Sequence, residues 1–326
     1  MKFIVTGGSG YIGSHMCKLL RSMDHEVCII DEIKPKHKYY SDYFQFNIGH
    51  SSIIGGFLSF IKPDGVFHFA AHSIVPESEQ NPMKYYLNNV NESISFINEV
   101  VKANVQHFIF SSTAAVYGTQ TSENMFQTHF REDDRKNPIN SYGKTKSIIE
   151  DVLLDLSSKG KLKTTILRYF NVAGCCPEST IGEDHDPETH IIPKIIKEIL
   201  NGKDEVFIYG NKYETIDGTN VRDYVHVEDL VEAHWKAFML MTNTSSASNL
   251  IMNIGSQKGF TNLEVISTIL KVMKSNCKIT IAPPRHGDPD SLVAITSLAK
   301  NLINYEPEFD LEDMIRHTYN YLKERK

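Results

Sequence analysis

The N-terminus constrains this chain more than any other stretch. Residues 2–6 form an apolar run suited to a buried parallel strand, and Gly8-x-Gly10-x-x-Gly13 follows at once, within TGGSGYIGSH. From Ile12 to Leu20 the apolar residues recur at helical spacing. A lone glycine pattern says little, but between a strand and a helix it is a fingerprint for a dinucleotide. The glycines allow a tight turn and close backbone approach to a pyrophosphate at the positive end of the helix. A second strand at 26–30 ends in Asp31. A carboxylate there accepts hydrogen bonds from ribose hydroxyls and repels a 2′-phosphate, which favours NAD over NADP. Lys34, Lys36 and Lys38 pull the other way.

Strands continue to alternate with helices through the first half. The pattern predicts strands near 65–69, 106–111 and 163–168, and helices near 12–22, 83–103 and 140–158. Such alternation predicts an α/β fold: a doubly wound parallel Rossmann sheet with ligands at the carboxyl ends of its strands. After residue 175 the chain becomes richer in Pro, Gly and charge, with shorter strands near 206–209, 223–227, 250–254 and 278–281. We therefore expect a nucleotide-binding domain over 1–175 and a smaller mixed α/β substrate lobe over 176–326, with chain crossings between them.

A second motif handles protons. Tyr142 and Lys146 stand at i and i+4, on one face of the predicted helix at 140–158. An ammonium there can depress a phenol pKa toward the working pH and make Tyr142 a proton acceptor. Residues 110–118, FSSTAAVYG, leave the preceding strand with three hydroxyls, and Thr113 can bond both a substrate hydroxyl and the phenol. A Ser or Thr at a strand end also simply closes turns.

Composition narrows the remaining classes. With 326 residues, 41% of them apolar, the chain can bury a large core. The net charge of −6 and dispersed lysines and arginines argue against nucleic acid. No apolar run spans a membrane, and no leader precedes the first strand, so a cytoplasmic protein is expected. The five cysteines lack C-x-x-C spacing and read as buried thiols; the vicinal Cys175 and Cys176 could also be redox-sensitive. His68 and His72 straddle a strand end rather than a helix face and show no third ligand in sequence. No metal is expected.

These landmarks resemble the extended short-chain dehydrogenase/reductase family, and within it the UDP-hexose 4-epimerase branch. The resemblance runs through HFAAHSIVPES (68–78), NPMKYYLNNV (81–90), NPINSYGKTK (137–146) and LRYFNVAG (167–174). It continues through IIPKI (191–195), DGTNVRDYVHVEDLVEAH (217–234) and RHGDP (285–289). It implies Tyr142 as catalytic base, Lys146 as its pKa partner and Thr113 as a hydroxyl relay. Gly7, Gly10, Tyr11, Ile12, Gly13, Asp31, Asn47, Ile48, Phe69, Ala70, Ala71, Asn88, Ser111 and Phe170 would line NAD, together with Tyr142 and Lys146. Thr113, Tyr142, Asn171, His190, Ile191, Phe207, Ile208, Tyr209, Arg222, Arg285, Asp288 and Leu292 would hold a UDP-sugar. Arg222 and Arg285 suit a diphosphate as bidentate forks, with surface ion pairs to Asp223 or Asp288 as the lesser alternative. His226 reads as a loop support.

The implied reaction interconverts UDP-glucose and UDP-galactose: C4 hydride transfer to bound NAD, rotation of the 4-keto sugar, and re-reduction on its other face. Related 4,6-dehydratases carry an Asp-Glu pair after the threonine, where this chain has Ala114 and Ala115. UDP-N-acetylhexosamine or UDP-pentose epimerisation, dehydration and a catalytically inactive NAD sensor remain as alternatives. Four departures stand out. The segment after Asp31 lacks the Asn and Ser that usually grip adenosine; Asn47 replaces an Asp; His190 stands where some relatives have an Asn; and Leu292 gates the sugar pocket at a size between the residues associated with plain and N-acetylated hexoses. The resemblance further implies a homodimer through the helices near 83–103 and 140–158.

Overall fold

The computed structural model of the chain describes residues 1–119, 121–122, 125–126, 128–244, 248–284 and 289–325. The chain forms two compact units, and neither is one run of sequence. The first comprises 1–118, 135–168 and 231–252; the second comprises 119–134, 169–230 and 253–326.

The first unit is built on a seven-stranded sheet. Its order is Asn249–Ile254, Lys163–Tyr169, His107–Thr113, Gly65–His68, Lys2–Thr6, Glu26–Asp31 and Asp42–Gln45. The pairs Phe3↔Val27 and Ile4↔Val66 fix the parallel register on either side of the Lys2–Thr6 strand. Both faces are covered, as a parallel sheet requires. Ile4, Val66 and Phe108 enter one buried cluster, while Phe3, Val5, Phe67 and Ile109 enter another. The period-two alternation of side chains thus divides each strand between two cores.

The predicted strands and the helices at Tyr11–Ser22 and Ser141–Ser158 are present. Three features differ. The strand Asn249–Ile254 joins this first sheet rather than the C-terminal lobe. The strand Asp42–Gln45 and the helix Ser51–Ile61 add elements that the pattern did not separate. The helix expected at 83–103 is interrupted: a π-helical stretch at Tyr86–Glu92 precedes the α-helix Ser93–Lys102. π-turns widen the hydrogen-bonded ring and recur at functional sites.

The second unit carries a sheet ordered Asn171–Ala173, Val221–His226, Ser291–Ala294 and His129–Phe130, with Gly259–Thr261 antiparallel to Val221–His226. A separate pair joins Glu205–Tyr209 to Lys278–Ala282. Helices Ile191–Leu200, Asn262–Met273 and Leu311–Lys323 bury Ile195, Ile266 and Ile315 in its core. Capping boxes start two of them, Thr261 with Glu264 and Asp310 with Asp313. The mixed, smaller C-terminal lobe expected from sequence is present in this form.

Candidate functional site

The glycine turn leaves the Lys2–Thr6 strand at Gly7, whose φ of +69° favours glycine and whose Cβ would stand 2.7 Å from the Ala70 amide nitrogen. Gly10 caps the helix Tyr11–Ser22 without a side chain, and the first turn holds no acid. Tyr11, Ile12 and Gly13 therefore present helix N-terminal amides suited to a pyrophosphate. At the tip of the second strand, Asp31 accepts the Ser9 amide at 2.9 Å and the Ile33 amide at 3.0 Å, which fixes its carboxylate. Phe69, Ala70 and Ala71 follow the Gly65–His68 strand, and Phe69 and Ala70 donate to the carbonyl and hydroxyl of Thr6. A glycine cradle, an uncapped helix end and an anchored carboxylate fit a dinucleotide.

His37 escaped the sequence reading. It is buried, donates from Nε2 to the Gly8 carbonyl at 2.8 Å, and accepts the Tyr39 amide on Nδ1 at 3.1 Å. The carbonyl can only accept, so the tautomer is settled. Burial holds its pKa below the usual histidine value. This neutral ring buttresses the glycine turn from 29 residues away, and no local pattern marks it.

Asn47 lies between two carboxylates. Its amide donates to Glu32 at 3.0 Å and to Glu92 at 2.9 Å, and its oxygen accepts the Gly49 amide. Asn88 donates to the same Glu92 oxygen at 2.7 Å. An Asp at 47 would face two like charges, which accounts for the Asn. Ile48 is packed in the core, so only its backbone can face a cofactor. The π-helical stretch aims Asn88 and Asn89 together at the His72 amide, while Asn89 also donates to Thr145 at 3.2 Å.

Asn140 starts the helix Ser141–Ser158 by accepting the Gly143 amide at 2.8 Å. A Cβ at Gly143 would come within 2.5 Å of the Ala115 carbonyl oxygen, so only glycine lets this turn approach the end of the His107–Thr113 strand. That approach brings Tyr142 close enough to Thr113 for the threonine hydroxyl to draw the phenol's pKa down. Thr113 Oγ1 accepts the Ala115 amide at 3.1 Å, which leaves its hydrogen and a second lone pair available. Lys146 donates to the Ser111 carbonyl at 2.7 Å and lies 5.9 Å from the centre of the Tyr142 ring. Ser111, Thr113, Tyr142 and Lys146 are all buried.

The electrostatics depart from the sequence expectation. Burial pushes the Tyr142 phenol up to about 12, and Thr113 is the group that draws it down. Lys146 is itself pulled to about 7 by burial, against the attraction of Glu150. Burial takes more hydration from the ammonium than the attraction of Glu150 returns. Glu150 is committed elsewhere: Arg168 grips it with two hydrogen bonds of 2.9 and 2.7 Å.

In the second unit, Phe170 is buried and Asn171 is exposed on its strand, hydrogen-bonded to Tyr224. Along Glu205–Tyr209, Phe207 is exposed while Ile208 is in the core, so adjacent side chains face opposite ways. Lys194, absent from the sequence reading, lies 5.7 Å from the Tyr209 ring centre. Arg222 donates to the Val221 and Pro289 carbonyls and is paired in register with Leu292. Asp223 turns away from it to accept from Ser256, Gln257 and Ala294. Arg285 and Asp288 lie outside the described residues. His226 stacks on Phe309 and bonds to His317.

His190 caps the helix that Ile191 begins, and its ring contacts Glu183. Against burial, His190 and His185 hold that carboxylate well below its usual range. His68 is a buried, neutral ring bonded to Thr6 and Ser93, and burial lowers it to about 3. All five cysteines are buried and free. Among the described residues no helix is long and apolar enough to cross a membrane.

A dinucleotide turn and a buried Thr/Tyr/Lys set on one parallel sheet define a class: nucleotide-dependent enzymes that work at an alcohol carbon. The sequence signature of the NAD dependent epimerase/dehydratase family matches residues 3–255, and the chain belongs to that family. The chain is 40% identical to a UDP-glucose 4-epimerase of Lactobacillus helveticus, over 99% of this chain and 97% of that protein. It is also similar to the UDP-glucose 4-epimerase of Stenotrophomonas maltophila with bound NAD and formylated UDP-arabinopyranose. That match has a TM-score of 0.92 and 31% identity, covering 100% of this chain and 98% of the other. A UDP-Glc/GlcNAc 4-epimerase of Campylobacter jejuni gives 0.83 and 34%, covering 99% of both chains.

Proposed function

We propose that this chain is an NAD-dependent UDP-hexose 4-epimerase that interconverts UDP-glucose and UDP-galactose. The observation that carries the reading is the buried set of Thr113, Tyr142 and Lys146, in which Thr113 draws the phenol's pKa down, followed by Ala114 and Ala115. That set can move one proton at an alcohol and offers no carboxylate at 114–115 for eliminating water. NAD, held by the glycine turn and Asp31, supplies the hydride acceptor and donor at sugar C4.

Tyr142 takes the C4 hydroxyl proton, directly or through Thr113. The resting pair loses a proton near neutrality, and its two one-proton arrangements differ only in whether the phenol or the amine is deprotonated. Withdrawing a proton from the phenol onto Lys146 leaves phenolate beside ammonium, the form able to accept the substrate proton. The 4-keto sugar, anchored through its diphosphate by Arg222 and Arg285, turns its other face before reduction. Remote binding energy thus holds the intermediate while the hexose remains free to move. Asn171, Ile191, Phe207, Tyr209, Asp288 and Leu292 complete the sugar-nucleotide contacts, with His190 and the Ile208 backbone. In this reading residues 1–175 hold the cofactor and 176–326 most of the sugar nucleotide, while Thr113, Tyr142 and Asn171 of the first segment also meet the sugar.

The chain acts in the cytoplasm as a homodimer. Met83, Leu87, Ile94 and Ile148 are exposed on or beside the two helical regions assigned to the interface, which supports that assembly. Leu292 is half-buried in register with Arg222, and its size, between a tyrosine and a small residue, is the basis for weaker acceptance of UDP-N-acetylhexosamines. Incubating the purified chain with UDP-galactose and separately with UDP-GalNAc, with and without added NAD, tests the function by product NMR. The C4 epimer of UDP-galactose is expected; its absence in both runs from a chain that binds NAD overturns the proposal.

A further inference from the structure

Between the strand Asn171–Ala173 and the helix Ile191–Leu200, residues 183–190 read EDHDPETH. The segment folds back on itself and gathers four donor groups inside the second unit. Glu183 is 1% exposed, and its ion-pair partners are imidazoles: His185 Nδ1 at 3.0 Å and His190 Nδ1. Glu188 Oε1 stands 3.9 Å from His185 Nδ1. One donor atom from each of the four residues lies within 4.8 Å of the others.

We propose that Glu183, His185, Glu188 and His190 form a closed structural site for a divalent transition-metal ion of the zinc class. Ligand atoms around a tetrahedral zinc, with bonds of about 2.0–2.2 Å, stand about 3.3–3.6 Å apart. The observed spacings bracket that range, so small side-chain shifts complete the shell. Two imidazoles and two carboxylates suit zinc and its neighbours, whereas calcium and magnesium favour six or more oxygens.

The outer shell is also in place. Glu188 Oε1 accepts the Thr189 and His190 amides at 3.0 and 3.1 Å, which fixes the carboxylate. Lys197 lies 3.4 Å from the other Glu188 oxygen, 3.6 Å from Asp184, and donates to the His185 carbonyl. Such contacts orient metal-binding carboxylates. Four protein donors leave no open position for a reacting water, so the ion's role is structural. It ties the buried Glu183 to the cap of the helix that begins at Ile191.

The test uses the full chain, stripped with EDTA and titrated with zinc chloride alone, with cobalt(II) as a spectroscopic substitute. The chain is expected to retain one zinc per molecule by mass spectrometry of metals. Its cobalt form should show the intense visible bands of tetrahedral coordination, and saturating zinc should raise its Tm by about 5 °C. His185→Ala and Glu188→Gln should each abolish the bands and the zinc-dependent shift. Their Tm in EDTA serves as the control for folding, and whichever variant folds gives the comparison. Absence of zinc retention by the native chain, or equal binding by a folded variant, overturns the proposal. Because the readouts are metal content, spectrum and melting, failure here is separate from failure of the epimerase reading.

Discussion

The hydroxyl of Thr113 acts on the phenol of Tyr142: it is the group that draws the phenol's pKa down against burial. The Ala115 amide, 3.1 Å from Thr113 Oγ1, fills one of the two acceptor sites on the threonine and so holds its hydroxyl in place. Removing the hydroxyl should therefore leave a weaker acid at Tyr142. Thr113→Val is expected to lose about 10²-fold in kcat, with the rising limb of its pH profile displaced toward base. Thr113→Ser should retain most of the rate. Identical profiles for Val and Ser would contradict the relay.

Lys146 makes a prediction about stability. Its folded pKa is about 7 against an ordinary 10.5. Below about pH 7 both folded and unfolded chains hold the proton, and the folded chain bears the full desolvation cost. Between those values the unfolded chain binds a proton that the folded chain lacks, so stability rises with pH. Above 10.5 the difference is constant. Lys146→Met should be relatively more stable at pH 6 than at pH 9 when each is compared with the native chain. Urea unfolding at the two pH values measures this, and an unchanged difference would refute the depressed pKa.

Much of this arrangement was legible in sequence. The glycine turn, Asp31 and the Tyr142/Lys146 pair announce themselves because spacing alone puts them on a turn, a strand tip and a helix face. The hidden parts depend on contacts distant in sequence. Nothing local marks His37 as the support of the Gly8 carbonyl 29 residues away. The π-helical stretch at Tyr86–Glu92 is hidden because its apolar spacing reads equally as α-helix. The strand Asn249–Ile254 looks like its C-terminal neighbours, and only tertiary pairing beside Lys163–Tyr169 assigns it to the first sheet. The phenol pKa was misread because adjacency on a helix face reports the neighbouring charge but not the burial that opposes it.

The Asn47 bridge explains a departure that sequence comparison alone leaves bare. Asn47→Asp would place a third carboxylate between Glu32 and Glu92 and remove two donated hydrogen bonds. A loss of about 1–2 kcal/mol is expected, together with easier release of NAD on gel filtration. Adding Glu92→Gln should restore part of both. Thermal melting and cofactor absorbance provide the readouts, and a neutral Asn47→Asp would show that the bridge is idle.

Leu292 is expected to limit the sugar pocket. Leu292→Ala should raise kcat/KM for UDP-GalNAc while changing that for UDP-galactose by less than about tenfold. Equal failure of N-acetylated sugars in native and variant chains would refute a gate at this position.

Leu87 and Ile94 are 54% and 40% exposed on the helical region assigned to self-association. Lysine at both positions should convert a dimer to a monomer in sedimentation velocity, with Tm little changed below the dimer's dissociation concentration. A native chain that sediments as a monomer would contradict the assigned interface.

The central claim is oxidation and re-reduction at C4 with Tyr142 as the proton acceptor. UDP-galactose deuterated at C4, converted in ordinary water and read by NMR, tests it most directly. The account predicts UDP-glucose that retains deuterium at C4, and about 10²–10⁴-fold slower conversion by Tyr142→Phe. Solvent hydrogen at C4, or a 4-keto-6-deoxy product, would contradict it.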